Sequence, residues 1–286
     1  MTNAKARKGN KSGKTMADQA DRHVLYQKSV QAPETEVEFF EDSFKELRGR
    51  TPRTMREDFC GTAALSMTWV ARDNKRRAIG VDICQETLDW GIRHNLKPAG
   101  EDVASRITLL NENVVDVETE EVDLICAMNF SYCIFKTRQA LLNYFKNARR
   151  GLKEDGLFFL DLLGGTATID TVEEEREIED EDATYVWEQA EFNPITNHLM
   201  CYIHFDFEDG SRMERAFEYD WRLWSIPEIH EILLDAGFSK VNVYWEEFEE
   251  DDDDPDNDYL VGTGNFRKVT EVDQQESWLA YIVAEK

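Results

Sequence analysis

Positive charge is scarce in this chain: 33 Lys and Arg stand against 59 Asp and Glu, a formal charge of −26. So acidic a surface repels phosphate backbones, and no nucleic-acid partner is expected. Cysteine is sparse and odd in number. Cys60, Cys84, Cys126, Cys133 and Cys201 form no C-x-x-C pair, which argues against a zinc site or a disulfide frame and for reduced, mostly buried thiols; no metal is expected. No apolar run approaches the roughly 20 residues that span a bilayer, and the basic N-terminus lacks the apolar stretch of a signal peptide. The expected location is the cytoplasm, with no membrane partner. A G-x-G-x-x-G is missing as well, which removes the pyrophosphate-binding turn of a dinucleotide dehydrogenase.

What is present is an alternation of apolar strands and amphipathic helices, with 41% hydrophobic content over 286 residues. Strands are expected near 53–58, 78–82, 106–110, 122–128 and 157–161, with helices at 64–72, 85–95 and 136–152 between them. Such alternation implies a parallel sheet with right-handed crossovers. Runs at 241–245 and 278–283 read as a closing antiparallel pair. The expected fold class is α/β: a Rossmann-like seven-stranded, mostly parallel sheet with helices on both faces, plus an inserted antiparallel β meander.

The division predicted from composition is a disordered basic tail at 1–16, an α/β core at 17–170, an insert at 171–224 and a C-terminal part of the core at 225–286. Within the insert, eight of the ten residues 173–182 are acidic and read as a solvated loop. A second acidic loop is expected at 246–258. Alternating runs at 185–192, 198–208 and 213–221 form the meander. One face of its middle run carries Met200, Tyr202, His204 and Asp206, the polar and aromatic face. Before the first strand, a helix is expected at 34–48, with an extended segment at 26–31.

The stretch from Arg53 to Asp82 organises the rest. A strand turns through Phe59-Cys60-Gly61-Thr62-Ala63 into a helix, and the next strand ends in Asp82, so backbone N–H groups and an acid meet at one point. These residues resemble a class I S-adenosylmethionine-dependent methyltransferase. The resemblance puts Glu57 at the acid ending the first strand, Cys60, Gly61 and Thr62 in the cofactor turn, and Asp82 on the ribose hydroxyls. Ile83 beside it, Asn113 and Val114 after the third strand, and Asn129 after the fourth are further cofactor contacts that it implies. The family usually has glycines where this chain has Phe59 and Ala63. S-adenosylmethionine is the cofactor implied.

Methyl transfer needs alignment and exclusion of water more than acid–base chemistry. Tyr132, just past the fourth strand, is expected to wall the active site. His204 is either a general base or a strand histidine beside acids. Arg222 either grips a substrate carboxylate or pairs with Glu218 or Asp220. Tyr26, Trp187 and Tyr202 are candidate substrate contacts, with packing as the alternative for Tyr26. Three functions stay open: a methyltransferase for a small-molecule N or O acceptor, a protein methyltransferase, or a non-catalytic protein that binds the cofactor. The meander is either a substrate lid or a dimerisation surface, so the protein is a monomer or a homodimer.

Overall fold

The computed structural model describes residues 13–250 and 260–286. The tail expected at 1–16 therefore lies outside the described residues up to residue 12, and the acidic loop expected at 246–258 does so from residue 251. Met16 already opens a short helix, α1 (Met16–Gln19), because Thr15 and Asp18 form a capping box. The segment around Tyr26 is helical, not extended. Asp21 accepts the His23 N–H at 2.8 Å and starts α2 (Arg22–Ser29), which overrides the local β-like pattern.

Further helices are α3 (Pro33–Arg48), α4 (Ala64–Ala71), α5 (Gln85–Gly91), α6 (Lys97–Ala99), α7 (Glu101–Ala104), α8 (Arg138–Arg150) and α9 (Ile226–Asp235). Twelve strands run through the described residues: β1 (Thr54–Asp58), β2 (Arg77–Val81), β3 (Ile107–Leu110), β4 (Val122–Ala127), β5 (Leu152–Gly164), β6 (Val172–Glu177), β7 (Ala183–Asn193), β8 (His198–Phe207), β9 (Arg212–Arg222), β10 (Lys240–Glu250), β11 (Leu260–Val269) and β12 (Trp278–Glu285). Eight form one sheet in the order β11-β10-β12-β5-β4-β1-β2-β3, and the other four an antiparallel sheet, β6-β7-β8-β9.

The pairs β3-β2, β2-β1, β1-β4 and β4-β5 are parallel, whereas β12, β10 and β11 join antiparallel. The sheet thus has one strand more than the seven expected. β11 was hidden behind the acidic run, whose residues 246–250 belong to β10 and not to the loop expected at 246–258. The second difference is β6, which forms where an acidic loop was expected. It is an edge strand paired only with β7, and its acids keep the open edge from pairing further.

Alternation along β4 explains the layers. Leu124 and Cys126 pack under α3 and α4 with Val37, Phe40, Phe44 and Trp69. Ile125 and Ala127 face α8 and α9 with Leu141, Phe145, Ile229 and Leu233. Each phenylalanine buried this way contributes about 1.5–3 kcal/mol. A third cluster joins α2 to the small sheet through Leu25, Ile203, Phe205 and Phe207. The strand order reverses between β1 and β4, so a crevice opens beyond their C-terminal ends. No helix among the described residues is long and apolar enough to cross a membrane.

Candidate active site

The turn after β1 lies at that crevice. Phe59, Gly61 and Ala63 all have left-handed backbones, with φ of 60°, 51° and 57°. For the two non-glycine residues this costs of order 1 kcal/mol each. The Phe59 ring offsets part of that by packing edge-on against Tyr144 at 5.6 Å. The backbone conformation that glycines would favour is therefore kept despite the side chains. At Gly61 itself an added Cβ would meet nothing closer than Thr87 Cγ2 at 3.9 Å, so φ, not space, favours glycine there.

Asp82 lies beside this turn. Its Oδ2 accepts the Gly61 N–H at 2.9 Å and its Oδ1 the Cys84 N–H at 2.8 Å. Asn111 donates to the carbonyls of Asp82 and Ile83, fixing the strand end. Ile83 next to it is 73% exposed, a large apolar surface beside a carboxylate. Asn113 is exposed, its Oδ1 accepting the Val115 N–H, and Val114 is buried beneath. Thr62 Oγ1 accepts from Gln27 of α2 at 2.7 Å, and the Thr62 carbonyl accepts from Asn95. Gly91 of α5 permits that approach, since a Cβ there would lie 2.3 Å from the Thr62 carbonyl oxygen. Cys60 is a packing thiol. Burial, then the nearby Glu57, Asp82 and Asp58, push its pKa well up.

Under the turn sit buried carboxyls. Asp58 is paired with Arg56 at 2.9 Å and accepts from the Tyr144 hydroxyl. Glu57 points to the other face and accepts the Ser66 N–H at 2.9 Å. Burial raises the Glu57 pKa to about 8, against the Ser66 bonds. Glu36, at the start of α3, is 7% exposed and is pushed up to about 8 by burial, with Asp161 and Glu57 adding to the shift. Asp161 of β5 rises to about 7 through burial, although it accepts the N–H groups of Asn129 at 2.7 Å and Phe130 at 2.9 Å. Among the described residues, no lysine or arginine pairs with Glu36, Glu57 or Asp161. Three acids so placed favour a cation beside them.

Neither Glu36 nor Asp161 is among the candidates drawn from the sequence. Glu36 does carry a signal: it shares the buried stripe of α3 with Phe40 and Phe44 at i+4 and i+8, an acid where only apolar residues belong.

A cavity of about 310 Å³ opens between the crevice and the small sheet. Asn129 and Phe130 form one wall, Tyr26 of α2 a second, and Trp187, Tyr219 and Trp221 the roof. Tyr26 and Trp187, both substrate candidates, line this cavity together with Asn129, which was expected at the cofactor. Tyr132 does not. It is 0% exposed, and its hydroxyl donates to the Asp161 carbonyl at 2.7 Å, so Phe130 walls the cavity in its place.

His204 and Tyr202 are also excluded, because strand register gives the cavity the opposite face of β8. Ile203 lies across from Trp187, so Tyr202 and His204 lie on the other face of the small sheet, where both are buried. His204 Nδ1 lies 3.1 Å from the Arg215 backbone nitrogen and 2.9 Å from Glu214, and its Nε2 lies 2.9 Å from Glu188, the arrangement of a strand histidine beside acids. Arg222 lies over Trp224 and donates to Glu228 at 3.0 Å and to the Lys136 carbonyl. It does not line the cavity, and its ion-pair partner is Glu228 where Glu218 or Asp220 was expected.

Comparison with solved structures decides the fold. The chain superposes on an S-adenosylmethionine-dependent methyltransferase from Clostridium acetobutylicum with a TM-score of 0.65 at 17% identity, over 92% of this chain and 96% of that one. An amino pentose methyltransferase from Micromonospora echinaspora matches with a TM-score of 0.64 at 11% identity, over 92% and 96%. A sugar N-methyltransferase from Streptoalloteichus matches at 0.61 and 16% identity, over 100% and 98%. The fold is that of S-adenosylmethionine-dependent methyltransferases. No protein-family model matches the sequence, and no curated protein shows significant similarity to it. Within this methyltransferase fold, the turn 59–63, Asp82 and the loop 129–130 stand at the C-terminal edge of the parallel strands.

Proposed function

We infer that this protein is an S-adenosylmethionine-dependent methyltransferase acting on a small-molecule acceptor. The observation that carries the reading is the pairing of Asp82 with the left-handed turn at Gly61, above buried carboxyls that lack a cationic partner among the described residues. That donor set suits the cofactor. Asp82 would accept from its ribose hydroxyls, Ile83 would cover one face of the adenine, and Asn113 and Val114 would border the adenine edge. Gly61 and Thr62 would border its amino-acid end, and Glu36, Glu57 and Asp161 would balance its positive charge. S-adenosylmethionine supplies an electrophilic methyl group on a sulfonium. The chain's own residues hold and orient the acceptor and keep water out: Phe130, Trp187 and Trp221 line the cavity, and the small sheet covers it.

A cavity of about 310 Å³ walled by aromatic rings suits a compact acceptor better than a protein segment, which would need a longer groove. The non-catalytic alternative rested on the lost glycines, and the preserved left-handed turn removes that support. The five unpaired cysteines fit a reducing compartment, and we place the activity in the cytoplasm. Isothermal titration with S-adenosylmethionine, followed by a methylation panel of small amines, acids, phenols and intact proteins, tests the reading. Absence of cofactor binding would overturn it.

A further inference from the structure

The cavity carries information about its acceptor. β6 puts Glu174 opposite Trp187 and Arg176 opposite Tyr185, so both charged residues share the face that lines the cavity, one pleat apart. Arg176 lies at the exposed rim. Its guanidinium stands 5.2 Å over the Tyr185 ring and donates to the Ser29 carbonyl of α2. The neighbouring acid Glu173 pairs with Arg212, and no described carboxylate forms an ion pair with Arg176. In a chain of net charge −26, an arginine left without an acid partner at the mouth of an aromatic cavity is a receptor for an anionic group.

The same lining limits the reacting group. Among the described lining residues there is no histidine, lysine or cysteine. The Tyr26 hydroxyl is pushed up to about 12 by burial, so at neutral pH it stays protonated and cannot serve as a base. The one carboxylate of the lining, Glu174, is exposed on the rim strand, so a hydroxyl acceptor has only that group to take its proton early, whereas an amine needs only to give its ammonium proton to water or to Glu174 before it reacts. The rings of Tyr26, Trp187, Tyr219 and Trp221 suit an amine, and its methylated, cationic product, through their π faces.

We propose that the acceptor is a small amine that carries an acid group, the acid held by Arg176 at the rim and the amine presented between the aromatic walls. This rests on the methyltransferase reading. In the reaction the neutral nitrogen's lone pair forms the N–C bond as the C–S bond breaks. The C–S electron pair stays on sulfur, leaving a neutral thioether, and the extra proton on the product nitrogen passes to water.

The test uses the full chain, saturated with S-adenosylhomocysteine. The common amino acids, the amines left by removing their carboxylates, the matching hydroxy acids and simple phenols are titrated while the intrinsic tryptophan fluorescence, to which Trp187 and Trp221 contribute, is followed. The same compounds are then assayed for turnover with S-adenosylmethionine. The expected result is saturable quenching and methylation confined to acid-bearing amines. Arg176→Gln should raise their KM about tenfold with kcat little changed, and Arg176→Lys should recover part of that. Preference for carboxylate-free amines, hydroxy acids or phenols, failure of every acid-bearing amine to quench, or an unchanged KM in Arg176→Gln overturns the proposal. Loss of S-adenosylmethionine binding in the unmodified protein would instead sink the methyltransferase reading beneath it.

Discussion

Gln27 Nε2 donates to Thr62 Oγ1 at 2.7 Å, so helix α2 is tied by a side-chain bond to the turn after β1. The same helix supplies Tyr26 to the acceptor cavity and Ser29 to Arg176. One eight-residue helix thus touches both halves of the site.

That link gives a first prediction. Gln27→Ala removes one neutral hydrogen bond of about 1 kcal/mol, and the turn loses its brace. The cofactor's Kd by titration calorimetry should rise roughly three- to tenfold, with the acceptor KM rising alongside and the melting temperature nearly unchanged. An effect on melting alone, with both constants intact, would make α2 a packing element only.

Asp82 is the second. Its carboxylate braces Gly61 and Cys84 and would accept the ribose hydroxyls, so Asp82→Ala should weaken cofactor binding by on the order of 2 to 4 kcal/mol in a fold intact by circular dichroism. Binding as tight as in the unmodified protein would place the ribose elsewhere.

The buried carboxyls set a pH dependence. Glu36 and Glu57 rise from 4.5 to about 8 and Asp161 from 3.8 to about 7, so the folded chain holds protons that the unfolded chain releases. Their contribution to stability is fully present below the unfolded values and is lost as pH rises through 7 to 8. The melting temperature without cofactor should therefore fall between pH 6 and pH 9, and fall less in Glu36→Gln. A cationic ligand favours the ionised carboxyls, so affinity for S-adenosylmethionine should climb over that range more steeply than affinity for S-adenosylhomocysteine, which lacks the sulfonium charge. Equal slopes for the two ligands would mean that the acids do not face the cation.

How much of this was legible in the sequence depends on whether a signal was local. The run from Arg53 to Asp82 could be read because strand, turn, helix and terminal acid are contiguous, and the structure keeps all four in place. Phe59 and Ala63 looked like departures. Their left-handed φ is invisible in sequence, since only packing around Phe59 makes it tolerable. His204 and Tyr202 were assigned the wrong side because alternation shows which residues share a face and not which face meets the core. That choice was fixed by Leu25 of α2, packed on Ile203 and Phe205, a contact between segments far apart in the chain. Tyr132 was misjudged for a similar reason: Asp161 captures the N–H groups of Asn129 and Phe130, and this swings Phe130 rather than Tyr132 to the cavity.

The last prediction separates a lid from a dimerisation surface by using the two faces of the small sheet. Trp187 roofs the cavity, 6.0 Å from Trp221, whereas His204 lies on the other face, beside Glu188, Glu214 and the Arg215 N–H. If the sheet is a lid, Trp187→Ala should raise the acceptor's KM or lower kcat at least tenfold, leaving cofactor Kd and solution mass unchanged. His204→Ala should then leave both kinetic constants within about twofold and cost about 1–3 kcal/mol of stability, because Glu188 and the Arg215 amide lose their partner. If the His204 face instead pairs two copies of the chain, loosening it beneath the surface with His204→Ala should convert a dimer to a monomer by light scattering while turnover per chain stays intact. A Trp187→Ala protein with unaltered kinetics would remove the lid altogether, since Trp187 is the β7 ring paired opposite Ile203 in the cavity lining.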